Sequence, residues 1–133
     1  MSFLATLRDR LGPSGLLTEP QDCEPYAIDW RRLFPGRPLA VARPANTAEV
    51  AALVSLCREA GVPIVPQSGN TGMAGGAVPD QSGHQLVVSL ARMNSIRAID
   101  PVGMTLEAEA GVILQHAQEA ARAKGRLLPV SLA

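Results

Sequence analysis

Two stretches of the chain carry apolar residues at the spacing of an amphipathic helix. The first begins near Asn46, which can cap a helix, has Glu49 at the third helical position and ends at Gly61. The second begins after Gly111 and ends at Gly125. Because such faces turn towards a core, we expect burial of Val50, Leu53, Val54, Cys57 and Ala60 in the first helix, and of Ile113, Leu114, Ala117, Ala120 and Ala121 in the second.

Short apolar runs around the first helix predict β-strands. Residues 39–42 and 62–66 flank that helix. A strand, a helix and a strand over about 28 residues have the size of one βαβ unit, and its crossover is expected to be right-handed. Residues 86–90 form a further apolar run and predict a third, buried strand.

Residues 95–109 predict an antiparallel hairpin. The sequence Asp-Pro-Val-Gly at positions 100–103 has the residues that a type I turn favours. After it, Met104, Leu106 and Ala108 alternate with polar residues. This alternation predicts a half-buried strand with those three side chains on its inner face.

The first 36 residues are interpreted as a lead segment ahead of a domain that spans residues 37–133. A short helix is predicted over residues 3–11, before a Gly-Pro stop signal. Residues 22–37 combine prolines with the only tyrosine and the only tryptophan. We expect them to be mostly irregular, apart from one helical turn, with Trp30 as a packing anchor.

The composition is that of a globular protein and argues against several functions. The chain is 47% hydrophobic and 18% charged, with twelve basic and twelve acidic residues. Without a basic field, and with few aromatic residues, nucleic-acid binding is not expected. Residues 60–79 lack charge, but their prolines and glycines argue against a membrane span. The charges at residues 8–10 interrupt any secretory signal, and Cys23 and Cys57 fit reduced thiols of a cytoplasmic protein.

The richest candidate chemistry lies in residues 66–77, Pro-Gln-Ser-Gly-Asn-Thr-Gly-Met-Ala-Gly-Gly-Ala, which we call the glycine loop. It follows a strand at the carboxyl end of the βαβ unit, where open α/β sheets bind ligands. Its glycines permit positive φ and a close approach of a ligand, and successive N–H groups can form a concave anion site. It contains neither a Rossmann fingerprint nor a Walker A lysine. Because the loop contains no Lys or Arg, a phosphate would be held by the neutral dipoles of its backbone N–H groups and polar side chains. The alternative is that the segment is a glycine-rich turn that binds no ligand.

Short motifs stand in a definite order around this loop. They are Arg43-Pro44, Asn-Thr-Ala-Glu-Val (46–50), Gly-Val-Pro-Ile-Val-Pro (61–66), the glycine loop, Leu-Ala-Arg-Met-Asn-Ser-Ile (90–96), Ala-Glu-Ala-Gly-Val (108–112) and Leu128-Pro129. This order resembles the FAD-binding domain of the vanillyl-alcohol oxidase and p-cresol methylhydroxylase flavoprotein superfamily. Within this superfamily, the sequence Gln-Ser-Gly-Asn-Thr-Gly at positions 67–72 most resembles that of the branch of D-lactate, glycolate and D-2-hydroxyglutarate dehydrogenases. The resemblance covers residues 37–133.

The resemblance implies an α+β fold, in which a small parallel βαβ subdomain precedes the start of a mostly antiparallel sheet with helices. It also implies FAD, with the glycine loop on the pyrophosphate, Met93 and Asn94 approaching the flavin and Pro129 near the cofactor. For Met93, a core position is an equal alternative. Thr71 stands where some relatives carry a histidine that binds FAD covalently, so non-covalent binding is expected. The implied cofactor-binding residues are Gln67, Ser68, Gly69, Asn70, Thr71, Gly72, Gly75, Gly76, Ala77, Met93, Asn94 and Pro129.

The implied activity is the oxidation of a small D-2-hydroxy acid by hydride transfer to the flavin, with a separate electron acceptor. An oxidase of a sugar or a phenolic alcohol, and a non-catalytic module that binds a phosphate-bearing ligand, stay open as alternatives. His84 and His116 are expected to be solvated. No catalytic residue or metal ligand is expected among these residues.

The family pattern continues beyond Pro129, so we expect the chain to be the N-terminal part of a longer enzyme. On its own it is expected to bind FAD weakly or not at all, because it could not enclose the ring system. Exposed apolar sheet edges would favour a homodimer.

Overall fold

The computed structural model describes residues 2–132, and the chain divides into two compact units, Met1–Arg92 and Met93–Ala133. The division falls inside the domain predicted from residue 37 onwards. Leu7, Leu11 and Leu16, which belong to the predicted lead, lie in the core of the first unit. The division into a lead and a domain stays a prediction.

The first unit is a four-stranded mixed sheet with helices. The mixed helix and strand composition agrees with the predicted α+β fold, and the predicted strands near residues 40, 64 and 87 are confirmed. So is the mostly irregular stretch from residue 22 to 37, although its helical part is longer than one turn. The elements are α1 (Phe3–Leu11), β1 (Leu16–Leu17), α2 (Pro20–Cys23), a 3-10 helix (Glu24–Tyr26), β2 (Ala40–Ala42), α3 (Thr47–Ala60), β3 (Ile64–Gln67) and β4 (Leu86–Ser89).

The strands of this sheet are ordered β1-β2-β4-β3. β2 and β3 both pair with β4 in parallel, and β1 pairs with β2 in antiparallel. The predicted parallel strands on either side of α3 are therefore confirmed, but β4 lies between them; the handedness of the crossover stays a prediction. Because β2, β4 and β3 are parallel, their carboxyl ends share one edge of the sheet, which continues into Arg43, Leu90 and Ser68.

Helix α3 begins and ends where the sequence predicts. The backbone N–H of Glu49 donates to Asn46 Oδ1 at 2.9 Å, and Glu49 Oε2 accepts from the N–H of Ala45 at 2.8 Å. The reciprocal bond therefore reaches one residue before the cap. At the other end Gly61 is left-handed, with φ of 67°. These local bonds satisfy backbone groups that a helix end would otherwise leave unpaired.

The buried face of α3 differs from the predicted one. Leu53 and Cys57 are buried, but Val54 is 47% exposed and Ala60 is also exposed. Leu56 packs against the core instead. Val54 lies about 100° around the helix from Leu53, which turns it away from the sheet, and Ala60 stands in the last turn.

Alternate strand residues form two cores, one on each face of the sheet. The side chains that face α1 and α3 include Ala40, Ala42, Leu86 and Val88. Val41, Val65 and Val87 face the opposite way and meet Cys23. Burial raises the pKa of both cysteine thiols, which agrees with the interpretation of Cys57 as a small buried hydrophobe.

Trp30 does not anchor packing, since it is 62% exposed. Its neighbour Asp29 is buried instead, and the Asp29 carboxylate accepts hydrogen bonds from the N–H groups of Leu33 and Phe34 in the following turn. The prediction for Trp30 was therefore wrong.

The second unit contains the predicted hairpin and the second helix, as β5 (Ile96–Asp100), β6 (Thr105–Ala108) and α4 (Leu114–Ala123). At the turn, Asp100 Oδ1 accepts from the N–H groups of Val102 and Gly103, both at 2.9 Å. No helix among residues 2–132 is long and apolar enough to cross a membrane.

Burial in the second unit is lower than predicted. Leu106 is half-buried, but Met104 and Ala108 are exposed. In α4, Ala117 and Ala121 are buried as expected, whereas Ile113 is the N-cap and is exposed. A two-stranded sheet has little surface with which to bury the side chains of its own strands.

The neighbours Leu53 and Val54 give a matched test of the corrected face of α3. Leu53→Ala removes a fully buried side chain and should lower the free energy of unfolding by about 2–5 kcal/mol. Val54→Ala, at an exposed position, should change it by less than about 0.5 kcal/mol. Urea denaturation followed by circular dichroism measures both, and equal losses would contradict the assigned face.

Candidate functional site

The glycine loop leaves the sheet at the carboxyl end of β3, and Gln67 holds both of its ends. This side chain is only 3% exposed. Its Nε2 donates to the carbonyl oxygen of Ala77 at 2.7 Å and to that of Tyr26 at 2.9 Å. The N–H of Leu90 donates to the backbone oxygen of Gln67 at 2.9 Å. The Gln67 side chain therefore points into the protein, and its amide nitrogen already donates two hydrogen bonds.

Asn70 fixes the middle of the loop. Its backbone is left-handed, with φ of 50°, a conformation that asparagine adopts more readily than most residues. Its Nδ2 donates to the carbonyl oxygen of Ile28 at 2.8 Å. One residue thus supplies both the bend of the loop and a bond to the N-terminal segment.

Between these bonds the backbone of the loop is open. A Cβ added at Gly72 or Gly76 would meet no atom within 4 Å, and one at Gly69 would meet only Thr71 Cγ2 at 3.9 Å. Within residues 2–132, the hydrogen bonds of the structure leave the N–H groups of Gly69, Thr71 and Gly72 unused. A phosphate can therefore reach these donors, each bond to a charged group contributing about 1.5–3 kcal/mol. The residues present fit an anionic diphosphate.

The second half of the loop is closed by an aromatic ring. Gly75 has φ of 77°, and a Cβ there would stand 2.9 Å from Cγ of Phe34. Both the conformation and the space therefore require glycine. An open cavity of about 550 Å³ is lined here by Leu33, Phe34, Pro35, Val65, Gly75, Gly76, Val78, Pro79, Asp80, Gln81 and Gln85.

Two arginines at the same edge of the sheet were missed by the sequence analysis. Arg43 follows β2, and Arg92 Nη1 donates to the carbonyl oxygen of Arg43 at 2.7 Å. Arg43 Nε is buried and has no hydrogen-bond partner among the described residues. The loop itself lacks cations, so the sequence indicated neutral dipoles alone. The sheet order shows that positive charge lies at the edge from which the loop departs.

The contacts of the loop with Tyr26, Ile28 and Phe34 were also missed. They join residues about forty positions apart. Periodicity and capping signals act over a few residues, so they carry no information on such pairs. The nearest signal was the proline-rich composition of the stretch, which indicated only irregular structure.

The other predicted cofactor residues belong to the second unit. Met93 is buried, and its carbonyl oxygen accepts from the N–H of Gly111 at 2.8 Å. Asn94 and Pro129 are exposed. The structure thus brings the nine loop residues together in the first unit, from Gln67 to Ala77, and places the remaining three in the second.

The two histidines take no part in this site. His84 and His116 are exposed, as expected. Within residues 2–132, no group of three or more His, Cys, Asp or Glu could hold a metal ion. What the described residues offer is a set of backbone donors at a sheet edge.

Comparison with known proteins agrees with this geometry. A family profile described as "FAD binding domain" matches residues 38–133. The chain is 41% identical over 118 residues to a D-2-hydroxyglutarate dehydrogenase of Xanthomonas citri pv. viticola, covering 89% of this chain and 25% of that protein. It is 32% identical to the mitochondrial D-2-hydroxyglutarate dehydrogenase of Bos taurus, covering 93% of this chain and 22% of that protein.

A solved structure of p-cresol methylhydroxylase with substrate bound superposes with a TM-score of 0.78 and 27% identity. The match covers 98% of this chain and 25% of that one. The chain thus spans about a quarter of the length of the curated relatives it matches. The family match, the relatives and the shared fold agree with the resemblance found in the sequence. The chain belongs to the FAD binding domain family, within the superfamily of vanillyl-alcohol oxidase and p-cresol methylhydroxylase.

Proposed function

We propose that the protein to which these residues belong is an FAD-dependent dehydrogenase of a small D-2-hydroxy acid. The observation that carries the proposal is the open backbone of the glycine loop at the carboxyl edge of a parallel sheet, in a chain of the FAD binding domain family. The relatives named D-2-hydroxyglutarate dehydrogenase support the substrate class. When bound, the flavin accepts hydride from the substrate, and the protein positions the ring.

Within this proposal the described residues bind and orient the cofactor. The N–H groups of Gly69, Thr71 and Gly72 would contact the diphosphate, since they are exposed and unused. Gln67 and Asn70 would act by fixing the loop, because both side-chain amides already donate internally. Thr71 in place of a histidine supports non-covalent binding. The remaining proposed contacts are Ser68, Gly75, Gly76, Ala77, Met93, Asn94 and Pro129.

A second candidate is an oxidase or hydroxylase of a phenolic alcohol, favoured by the structural similarity to p-cresol methylhydroxylase. The fold is shared by both candidates and does not choose between them. An electron acceptor and a homodimer belong to the proposal as expectations. The relative from Bos taurus is named mitochondrial, so a cytoplasmic location also stays a prediction.

An anaerobic absorption spectrum tests the activity directly. The protein purified from its complete reading frame should show a visible flavin band that bleaches when D-2-hydroxyglutarate or D-lactate is added. L-2-hydroxyglutarate is the matched control and should leave the band unchanged. Bleaching by p-cresol alone would favour the second candidate. A colourless protein that cannot be reconstituted with FAD would refute the flavoenzyme proposal.

Gly72 offers a test of the phosphate site that is separate from folding. A valine side chain at this position meets open space in the protein but would occupy the room through which a phosphate approaches. Gly72→Val should weaken FAD binding about ten- to hundred-fold, the loss of one hydrogen bond to a charged group, with an unchanged unfolding midpoint. Ala48→Val, at an exposed position outside the loop, is the control. Wild-type affinity in Gly72→Val would place the cofactor elsewhere.

The 133 residues by themselves are predicted to bind FAD weakly or not at all. The glycine loop offers donors to the diphosphate but cannot surround the ring system, and partial enclosure lowers affinity. Gel filtration of the chain mixed with FAD, followed by absorption at the flavin band, measures retention. A yellow, stoichiometric complex would contradict this expectation.

A further inference from the structure

Residues 26–35 run beside the glycine loop and lie ahead of the matched family domain, which begins at residue 38. We call them the bracing segment. Its contacts with the loop are Gln67 Nε2 to Tyr26 O (2.9 Å), Asn70 Nδ2 to Ile28 O (2.8 Å), Arg31 Nη2 to Met73 O (3.4 Å) and the ring of Phe34 against Gly75. A segment outside the family domain thus touches the loop from its first residues to its second half.

Asp29 sets the shape of the bracing segment. Its Oδ1 accepts from the N–H groups of Phe34 at 2.7 Å and Leu33 at 2.8 Å, and the N–H of Arg32 donates to its backbone oxygen at 2.9 Å. Arg32 is left-handed, with φ of 59°. This turn carries the Phe34 ring to Gly75.

The charge of Asp29 is maintained by the same turn. Asp29 is 2% exposed, and its Oδ2 is buried without a hydrogen-bond partner among the described residues. Burial by itself would raise the pKa of Asp29, but hydrogen bonding from backbone N–H groups, those of Phe34 and Leu33 first, together outweighs it and lowers the pKa below the ordinary value. The side chain is therefore an anion at neutral pH.

We propose that Asp29 is a positioning residue that acts through the bracing segment to hold the glycine loop in its diphosphate-binding shape. This inference rests on the proposed function. A loop with four glycines in eight residues has high conformational freedom, and ordering it on binding would reduce affinity. Bonds from the bracing segment order the loop before the ligand arrives.

The binding test uses the protein from its complete reading frame after FAD has been removed, and ADP, which carries a diphosphate without a flavin. Asp29→Ala should weaken ADP binding about tenfold or more, as measured by isothermal titration calorimetry. The matched control is Asp100→Ala, which also removes an aspartate that accepts two backbone N–H groups, in the turn of the hairpin. It should bind ADP like the wild type. Unchanged binding in Asp29→Ala, or an equal loss in Asp100→Ala, would overturn the inference.

A second measurement keeps the inference testable if Asp29→Ala does not fold. Asn70→Gly keeps the left-handed backbone but removes the bond to Ile28. Opening of the bracing segment should increase, so trypsin should cut after the exposed Arg31 and Arg32 about five times faster. Cleavage after Arg122 in α4 is the internal control. Unchanged rates after Arg31 and Arg32 would overturn the coupling between segment and loop.

The same proteolysis experiment can be repeated with ADP present, because binding at the loop and closure of the bracing segment must stabilise each other. If the bracing segment and the bound diphosphate stabilise the same loop shape, ADP should slow cleavage after Arg31 and Arg32 in the wild type and slow it less in Asn70→Gly. A wild type that binds neither ADP nor FAD would refute the proposed function. A wild type that binds ADP but gains no protection would refute this inference alone.

Discussion

The site depends on one buried amide. Gln67 lies at the point where β3 ends, and its Nε2 donates to Ala77 and Tyr26 while its own backbone oxygen accepts from Leu90. These bonds close the glycine loop at its base, attach it to the bracing segment and fix it to the neighbouring strand. Replacing Gln67 by an apolar residue would leave the carbonyl oxygens of Ala77 and Tyr26 without this donor at the same time.

With its base fixed, the loop can leave its middle exposed. Gly69 and Gly72 present unused N–H groups, and no side chain fills the space in front of them. Such donors attract an anion without carrying a formal charge. Arg43 and Arg92 add positive charge at the same edge of the sheet, and Nε of Arg43 is a buried side-chain atom without a hydrogen-bond partner among residues 2–132. Backbone dipoles and nearby positive charge together suit a diphosphate better than either alone.

The sequence predicted those parts of the fold that local signals determine. Asn46 with Glu49, the turn at Asp100 and the apolar run of β4 each act over a few residues, and each was found where expected. The insertion of β4 between β2 and β3 was not predicted, because strand order depends on pairing between distant residues. Burial failed for the same reason at Val54, since the covered face of a helix depends on what packs against it.

The candidate site shows the same division. The position and glycine content of the loop could be predicted, because its glycines, its polar residues and the preceding strand are contiguous in sequence. The inward turn of the Gln67 side chain was not, since its partner Tyr26 is forty-one residues away. Nor was the part played by Asp29, an acidic residue in a stretch that looked irregular.

The bracing segment explains why an open loop and a glycine-rich composition are compatible with a defined site. The pairing of β3 with β4 fixes the loop at Gln67, and the Gln67 side chain holds its other end at Ala77. Between them, Asn70 and Gly75 are each held from the side by residues of the bracing segment. The glycines therefore contribute open space and left-handed dihedral angles. The bracing segment, outside the loop, restricts the conformational freedom that the glycines bring. The affinity of the proposed site for a diphosphate therefore depends on residues that touch no part of the ligand.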